Sequence, residues 1–152
     1  MLNVVVVDDS LILRRNISRM LIELGHKVVA EAANGLEAIH YCEEYTPDLI
    51  TMDITMPDMD GITAVKEIRK VNKYVKIIMI TSHGQENMVK DAIRAGASGY
   101  LLKPIVEEKL AKTLDKVFPE LKIIRETMFE AKEEQLKIVD IDADLTISDE
   151  EE

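Results

Sequence analysis

Asp8 and Asp9 stand side by side at the end of an apolar run, LNVVVVDDS, residues 2–10. A third acid, Asp53, follows another apolar run in DLITMD, and two further runs lead into Thr81 with Ser82 and into Lys103. Three carboxylates brought together would raise one another's pKa and destabilise the fold unless a cation sat among them. Oxygen donors with no convergent His or Cys suit a hard ion, Mg2+ or Mn2+, that keeps several of its waters. Any one of these residues has a plain structural use, since acids and Thr cap helices and a lone Lys is usually solvated. Together, a carboxylate nucleophile, a divalent ion, a hydroxyl and an ammonium are the parts needed to move a phosphoryl group to an aspartate.

Such a set meets only if the fold gathers the ends of the apolar runs. The runs are Leu2 to Val7, Lys27 to Ala32, Asp48 to Met52, Val75 to Ile80 and Gly99 to Leu102. Between them lie segments with helical spacing: Leu13, Ile17, Met20, Leu21 and Leu24 form one face of a helix capped by Ser10 and stopped by Gly25. Asn34 can cap a second helix, and residues 61–70, 85–95 and 106–117 complete the alternation, with Gly96 ending the fourth helix. Strands that alternate with helices and are themselves nearly all apolar predict a parallel sheet covered on both faces. Five such units make a small doubly wound α/β domain, whose chemistry gathers at the carboxyl edge of the strands.

The chain of 152 residues is 47% hydrophobic and 32% charged, enough for one domain with something short attached. Its net charge of −10 is uneven: residues 119–152 hold 12 of the 29 acids and 4 of the 19 bases, a net −8 against −2 for the rest. Without a basic stripe, and with an acidic tail that repels phosphates, nothing favours nucleic acid. No leader pattern and no long apolar span appears, so the sequence reads as cytoplasmic, with no membrane insertion. The single cysteine, Cys42, falls on a helical apolar face and is expected to be inert core filler.

In order and spacing, VVVVDDS, PDLITMDITMPDMDG, IIMITSHG and AGASGYLLKP resemble the receiver domains of two-component response regulators, especially the single-domain chemotaxis type. The resemblance covers residues 1–118 and implies a flavodoxin-like fold. It implies Asp53 as phosphoacceptor, Asp9 as a direct metal ligand, Asp8 as its neighbour orienting metal waters, and the backbone carbonyl of Thr55 as a further ligand. Thr81 resembles the switch hydroxyl, Lys103 the phosphate-binding lysine and Tyr100 the switch aromatic. Thr55 and His83, two residues beyond Asp53 and Thr81, resemble the positions that set the lifetime of the aspartyl-phosphate. Physical chemistry agrees with these roles. Lys is a compact point charge on a flexible stem, and Lys103–Pro104 is an X–Pro bond, where a cis peptide could fix its aim. Pro57 and Gly61 punctuate the loop after Asp53 and keep it exposed. A Thr81 drawn inward would vacate space for Tyr100, a two-state element biased by one change of charge.

The implied function is a phosphorylation-operated switch that takes its phosphoryl group from a histidine kinase, with Mg2+, and turns over no separate substrate. Its output by protein contact would reach a partner such as the flagellar switch; a relay between kinases is the rival. A second class, the Mg2+-dependent phosphohydrolases of haloacid dehalogenase type, has its Asp-x-Asp-x-Thr signature at Asp142, Asp144 and Thr146, with too few residues after it for such a domain. Asp140, Asp142, Asp144 and Glu151 match four positions of a calcium loop, but Leu145 stands where the loop needs Gly. His26 and His40 read as solvated or core-edge residues.

The extension, residues 119–152, lies outside the resemblance. Pro119 suits the first position of a helix, and Leu121, Ile124, Met128, Ala131, Gln135 and Ile138 follow a 3-4 spacing, predicting a helix over about 120–138. Val139, Ile141, Ala143, Leu145 and Ile147 then alternate with polar residues, predicting a strand over 139–147 before a disordered end at 148–152. Such a strand would lie beyond easy reach of its own sheet, so residues 120–147 are expected to pair with another chain, most simply a second copy.

Overall fold

The computed structural model describes the backbone of residues 1–151 and the side chains of residues 1–138. The five apolar runs are strands: Asn3–Val7 (β1), Lys27–Ala32 (β2), Leu49–Asp53 (β3), Lys76–Thr81 (β4) and Gly99–Leu102 (β5). All pair in parallel, in the order β2-β1-β3-β4-β5. The helices between them are Leu11–Glu23 (α1), Gly35–Tyr45 (α2), Gly61–Val71 (α3), Glu86–Ala95 (α4) and Glu107–Val117 (α5). Ser10 caps α1 and Asn34 caps α2, as their sequences predict. Gly25 and Gly96, with φ of +93° and +121°, end α1 and α4 in the left-handed region that other residues resist.

The central strands β1, β3 and β4 are buried almost throughout, successive side chains entering opposite faces, as a sheet covered on both faces requires. Val5, Val7, Ile50, Met52, Ile77 and Met79 form one core with residues of α2, α3 and α4, among them Cys42, whose thiol is pushed up by burial. Val4, Val6, Leu49, Ile78 and Ile80 are buried on the other side of the sheet. Arg69 of α3 ties the first core together from its edge: its guanidinium donates to Val75 O at 2.6 Å and to Gly96 O at 2.8 and 3.0 Å. Two strands run one residue further than their apolar runs predict. Parallel pairing sets Asp53 opposite Ile80 and Thr81 opposite Leu102, so both polar residues end strands instead of following them.

The chain divides into two compact units, Met1–Thr113 and Leu114–Glu152. The second contains a single long helix, Pro119–Glu151 (α6), in which Arg125 pairs with Asp115 at 2.8 Å. In place of the predicted strand over 139–147 the backbone is helical, and the helix continues to Glu151 through most of the end predicted to be disordered; residue 152 lies outside the described residues. A strand would need a partner to complete its ladder, whereas a helix satisfies the backbone within the segment itself. The side chains of Asp140, Asp142, Asp144, Thr146 and Glu151, which carry the two rejected signatures, lie outside the described residues. Among the described residues, no helix is long and apolar enough to cross a membrane.

Candidate phosphoryl-acceptor and metal site

Strand order places the site. From β1 the chain steps outward to β2 and then crosses back to β3, leaving a crevice between the carboxyl ends of β1 and β3. Asp8 and Asp9 follow β1 at this point and Asp53 ends β3, so that each can offer one carboxylate oxygen within 4.8 Å of the others. Asp8 and Asp53 are buried and Asp9 is exposed. Lys103, immediately after β5, reaches across β4: its Nζ lies 3.4 Å from Asp53 Oδ1 and 3.7 Å from Asp8 Oδ2. The Lys103–Pro104 bond is cis.

Local bonds hold these groups in place. Asp8 Oδ1 accepts from Ser10 N at 2.8 Å, and Arg14 donates to the Asp8 carbonyl at 2.7 Å. After Asp53 the chain turns back so closely that a Cβ on Gly61 would overlap the Asp53 carbonyl oxygen and lie 3.0 Å from Ile54 Cα. Gly61 N donates to Ile54 O at 2.8 Å, closing that turn, and Asp60 caps α3 by accepting from Thr63 N at 2.9 Å. Burial pushes the Asp53 carboxyl up to about 6, helped by the Asp8 charge and opposed by Lys103. Asp8 is raised by burial as well, against its bond from Ser10 and the pull of Lys103.

A hard divalent ion fits this arrangement. Asp8 Oδ2 is buried with no hydrogen-bond partner among the described residues, and the donors of the cluster are all carboxylate oxygens. Beside one lysine, three carboxylates keep two uncompensated negative charges, which a divalent ion would balance.

The remaining residues singled out in the sequence surround the cluster less tightly. Thr81 is buried, and its hydroxyl donates to Gln85 Oε1 at 2.9 Å; the Thr55 hydroxyl accepts from Gln85 Nε2 at 2.9 Å. Tyr100, on β5, is 51% exposed, and His83 is exposed. Of the other histidines, His26 Nδ1 accepts from Leu2 N at 3.1 Å and His40 pairs with Glu44 at 3.1 Å, as core-edge and surface residues do. Gln85 was not singled out by sequence reasoning, which left it inside a helix. Its one signal is its place just before α4, where a Ser, Thr, Asp or Asn would ordinarily cap.

A doubly wound parallel sheet with an acidic crevice and a lysine at its carboxyl edge defines the class of protein, and comparison with known proteins narrows it. The response regulator receiver domain matches residues 4–115. The chain is 45% identical over 113 residues to chemotaxis protein CheY of Bacillus subtilis, covering 74% of this chain and 94% of that protein. It is 42% identical over 114 residues to CheY of Thermotoga maritima, covering 75% and 95%. Among solved structures, a CheX–CheY–BeF3–Mg complex from Borrelia burgdorferi superposes with a TM-score of 0.72 at 36% identity, over 76% of this chain and 88% of that one. The chain belongs to the response regulator receiver domain family. Members of this family are phosphorylation-activated signalling switches that bind Mg2+ in an acidic pocket.

Proposed function

We propose that Asp53 is the residue phosphorylated and that the signal leaves by protein contact, in chemotaxis. The observation that carries this reading is the buried Asp53 carboxylate held 3.4 Å from Lys103 Nζ, beside two further acids. In the transfer, the phosphorus–nitrogen bond of a kinase phosphohistidine breaks, its electron pair staying on the imidazole, while an Asp53 oxygen forms the new bond to phosphorus. Asp53 attacks as the carboxylate, and with its pKa at about 6 that form dominates at neutral pH. Lys103 follows the transferring oxygens as a point charge, and Thr81 offers a hydroxyl proton to the product. Asp8, Asp9, Asp53 and the Thr55 carbonyl would hold Mg2+, which supplies charge neutralisation for the phosphoryl group when bound. The chain promotes only its own phosphorylation and dephosphorylation.

Mg2+-dependent labelling by a small phosphodonor tests this reading. The label is expected in the parent and absent from Asp53→Asn; a label persisting at the same site in that variant overturns the assignment. Thr55 and His83, both exposed and two residues beyond Asp53 and Thr81, are assigned to phosphoryl lifetime, and exchanging them should alter hydrolysis more than labelling. Drawing Thr81 inward would let the exposed Tyr100 turn toward the space it vacates.

The CheY relatives support a chemotaxis output with a histidine kinase upstream and a flagellar-switch component downstream, in the cytoplasm. A phosphorelay is the alternative. Screening the phosphorylated protein against a flagellar-switch component and against histidine phosphotransfer domains separates the two. In the extension, Ile124, Met128 and Ile138 are exposed on α6 at the spacing of a helical seam, which supports self-association by helix packing through residues 120–147. Light scattering on the full chain, expected to give a dimer, decides this; a monomer at high concentration overturns it.

A further inference from the structure

Gln85 occupies the N-cap position of α4, yet its side chain makes no capping bond to that helix. The amide folds back over the strand ends instead. Its Oε1 lies 2.7 Å from Ser82 N and 2.9 Å from Thr81 Oγ1, and its Nε2 lies 2.9 Å from Thr55 Oγ1. The donor at Ser82 fixes which way the amide points, because a backbone N–H can only donate. The atom facing it must be the oxygen, so the Thr81 hydroxyl beside that oxygen must donate as well. Thr81 has one proton to give, and a second acceptor, Ser82 O, lies 3.3 Å away. In the unmodified protein this proton is therefore committed away from Asp53.

Resting on the reading of Asp53 as phosphoacceptor, we propose that Gln85 is a positioning residue that latches Thr81. A phosphoryl oxygen on Asp53 and Gln85 Oε1 compete for the same hydroxyl proton. Release breaks only one of the three bonds, since Ser82 N and Thr55 keep theirs, so the latch is light enough to be opened by a charged acceptor. It also connects the site to α4 directly: the side chain that lets go of Thr81 belongs to the residue on which α4 begins. Leaving that helix without a side-chain cap is a local cost at a place where function accounts for it.

Two variants release the latch without removing a group assigned to the chemistry. Gln85→Met keeps the shape and loses the hydrogen bonds, and Gln85→Ser supplies the missing cap. In a titration of the full chain with beryllofluoride and Mg2+, both are expected to bind about fivefold more tightly than the parent, the effect of removing one competing hydrogen bond. In a Thr81→Ala background the same substitutions should change nothing. In the unmodified proteins, three-bond couplings of Thr81 should report one side-chain rotamer in the parent and averaging in Gln85→Met. Equal affinities, equal couplings, or the same gain without Thr81 overturn the latch. If the parent itself neither binds beryllofluoride nor takes a label at Asp53, the acceptor reading falls and the latch falls with it.

Discussion

Lys103 Nζ lies between two buried carboxylates, 3.4 Å from Asp53 Oδ1 and 3.7 Å from Asp8 Oδ2, and so joins the ends of β1 and β3 from a third strand. Removing a single cation from such a group leaves charge that the interior cannot solvate. Lys103→Met is expected to raise the Asp53 pKa further and to slow labelling by a small phosphodonor at least tenfold at neutral pH. Lys103→Arg should also be slow, because a planar fork cannot follow an oxygen as a compact ammonium does. Labelling rates of both variants between pH 6 and 9 check this; rates equal to the parent would contradict it.

Asp53 is expected to make stability depend on pH and on Mg2+. Its carboxyl is raised from 3.8 to about 6, so the folded protein holds a proton more tightly than the unfolded chain does. Stability from this group is therefore fully present below 3.8 and lost as pH rises through about 6. Asp53→Asn removes the charge, and in urea titrations with a chelator at pH 7.5 it should be more stable than the parent by about 2–3 kcal/mol. The difference should vanish near pH 4. Mg2+ should stabilise the parent at neutral pH and much less below pH 6, where protons compete for the same oxygens.

Gly61 tests how closely the turn after Asp53 is packed. Any Cβ there meets the Asp53 carbonyl and the Ile54 backbone, neither of which can swing aside as a flexible side chain would. Gly61→Ala is expected to cost about 1–3 kcal/mol. It should also reduce labelling, since the Asp53 backbone must shift; an unchanged urea midpoint would show that the loop yields freely.

Thr51 offers the opposite case. It sits in the middle of β3, fully buried, and its Oγ1 has no hydrogen-bond partner among the described residues. Thr51→Val replaces that hydroxyl by a methyl of similar shape and should stabilise the protein by about 1 kcal/mol while leaving labelling unchanged. A loss of stability would mean that the hydroxyl is satisfied in solution.

Much of this arrangement is legible in the sequence, for physical reasons that also mark where reading stops. Unbroken Val and Ile runs allow few structures but buried parallel strands, and Asn34 and Gly96 do at their helix ends what their chemistry suggests. The acids at strand ends could be placed on one rim, but not that Asp8 would be buried and Asp9 exposed. That difference depends on the neighbouring strand and on the bond from Ser10. Leu13, on the predicted apolar face of α1, is 38% exposed in the first turn of that helix, while Ile17 and Leu21 on the same face are buried. Period-two alternation in 139–147 suggested a strand, yet a strand needs a partner that no local pattern can supply. Gln85 escaped notice because its role lies in contacts with two residues whose positions relative to it only the fold defines.

The order in which the chain is made gives the position of Lys103 another meaning. Asp8, Asp9 and Asp53 all leave the ribosome before the lysine that balances them, and β5, which carries it into place, is the edge strand next to β4. Until that edge docks, a nascent domain has its acids without its own cation, and the unfinished pocket repels its own closure. A domain arrested one strand short lacks the ammonium that faces Asp8 and Asp53, so the last strand to be made is also the one that relieves the repulsion left by the first and third.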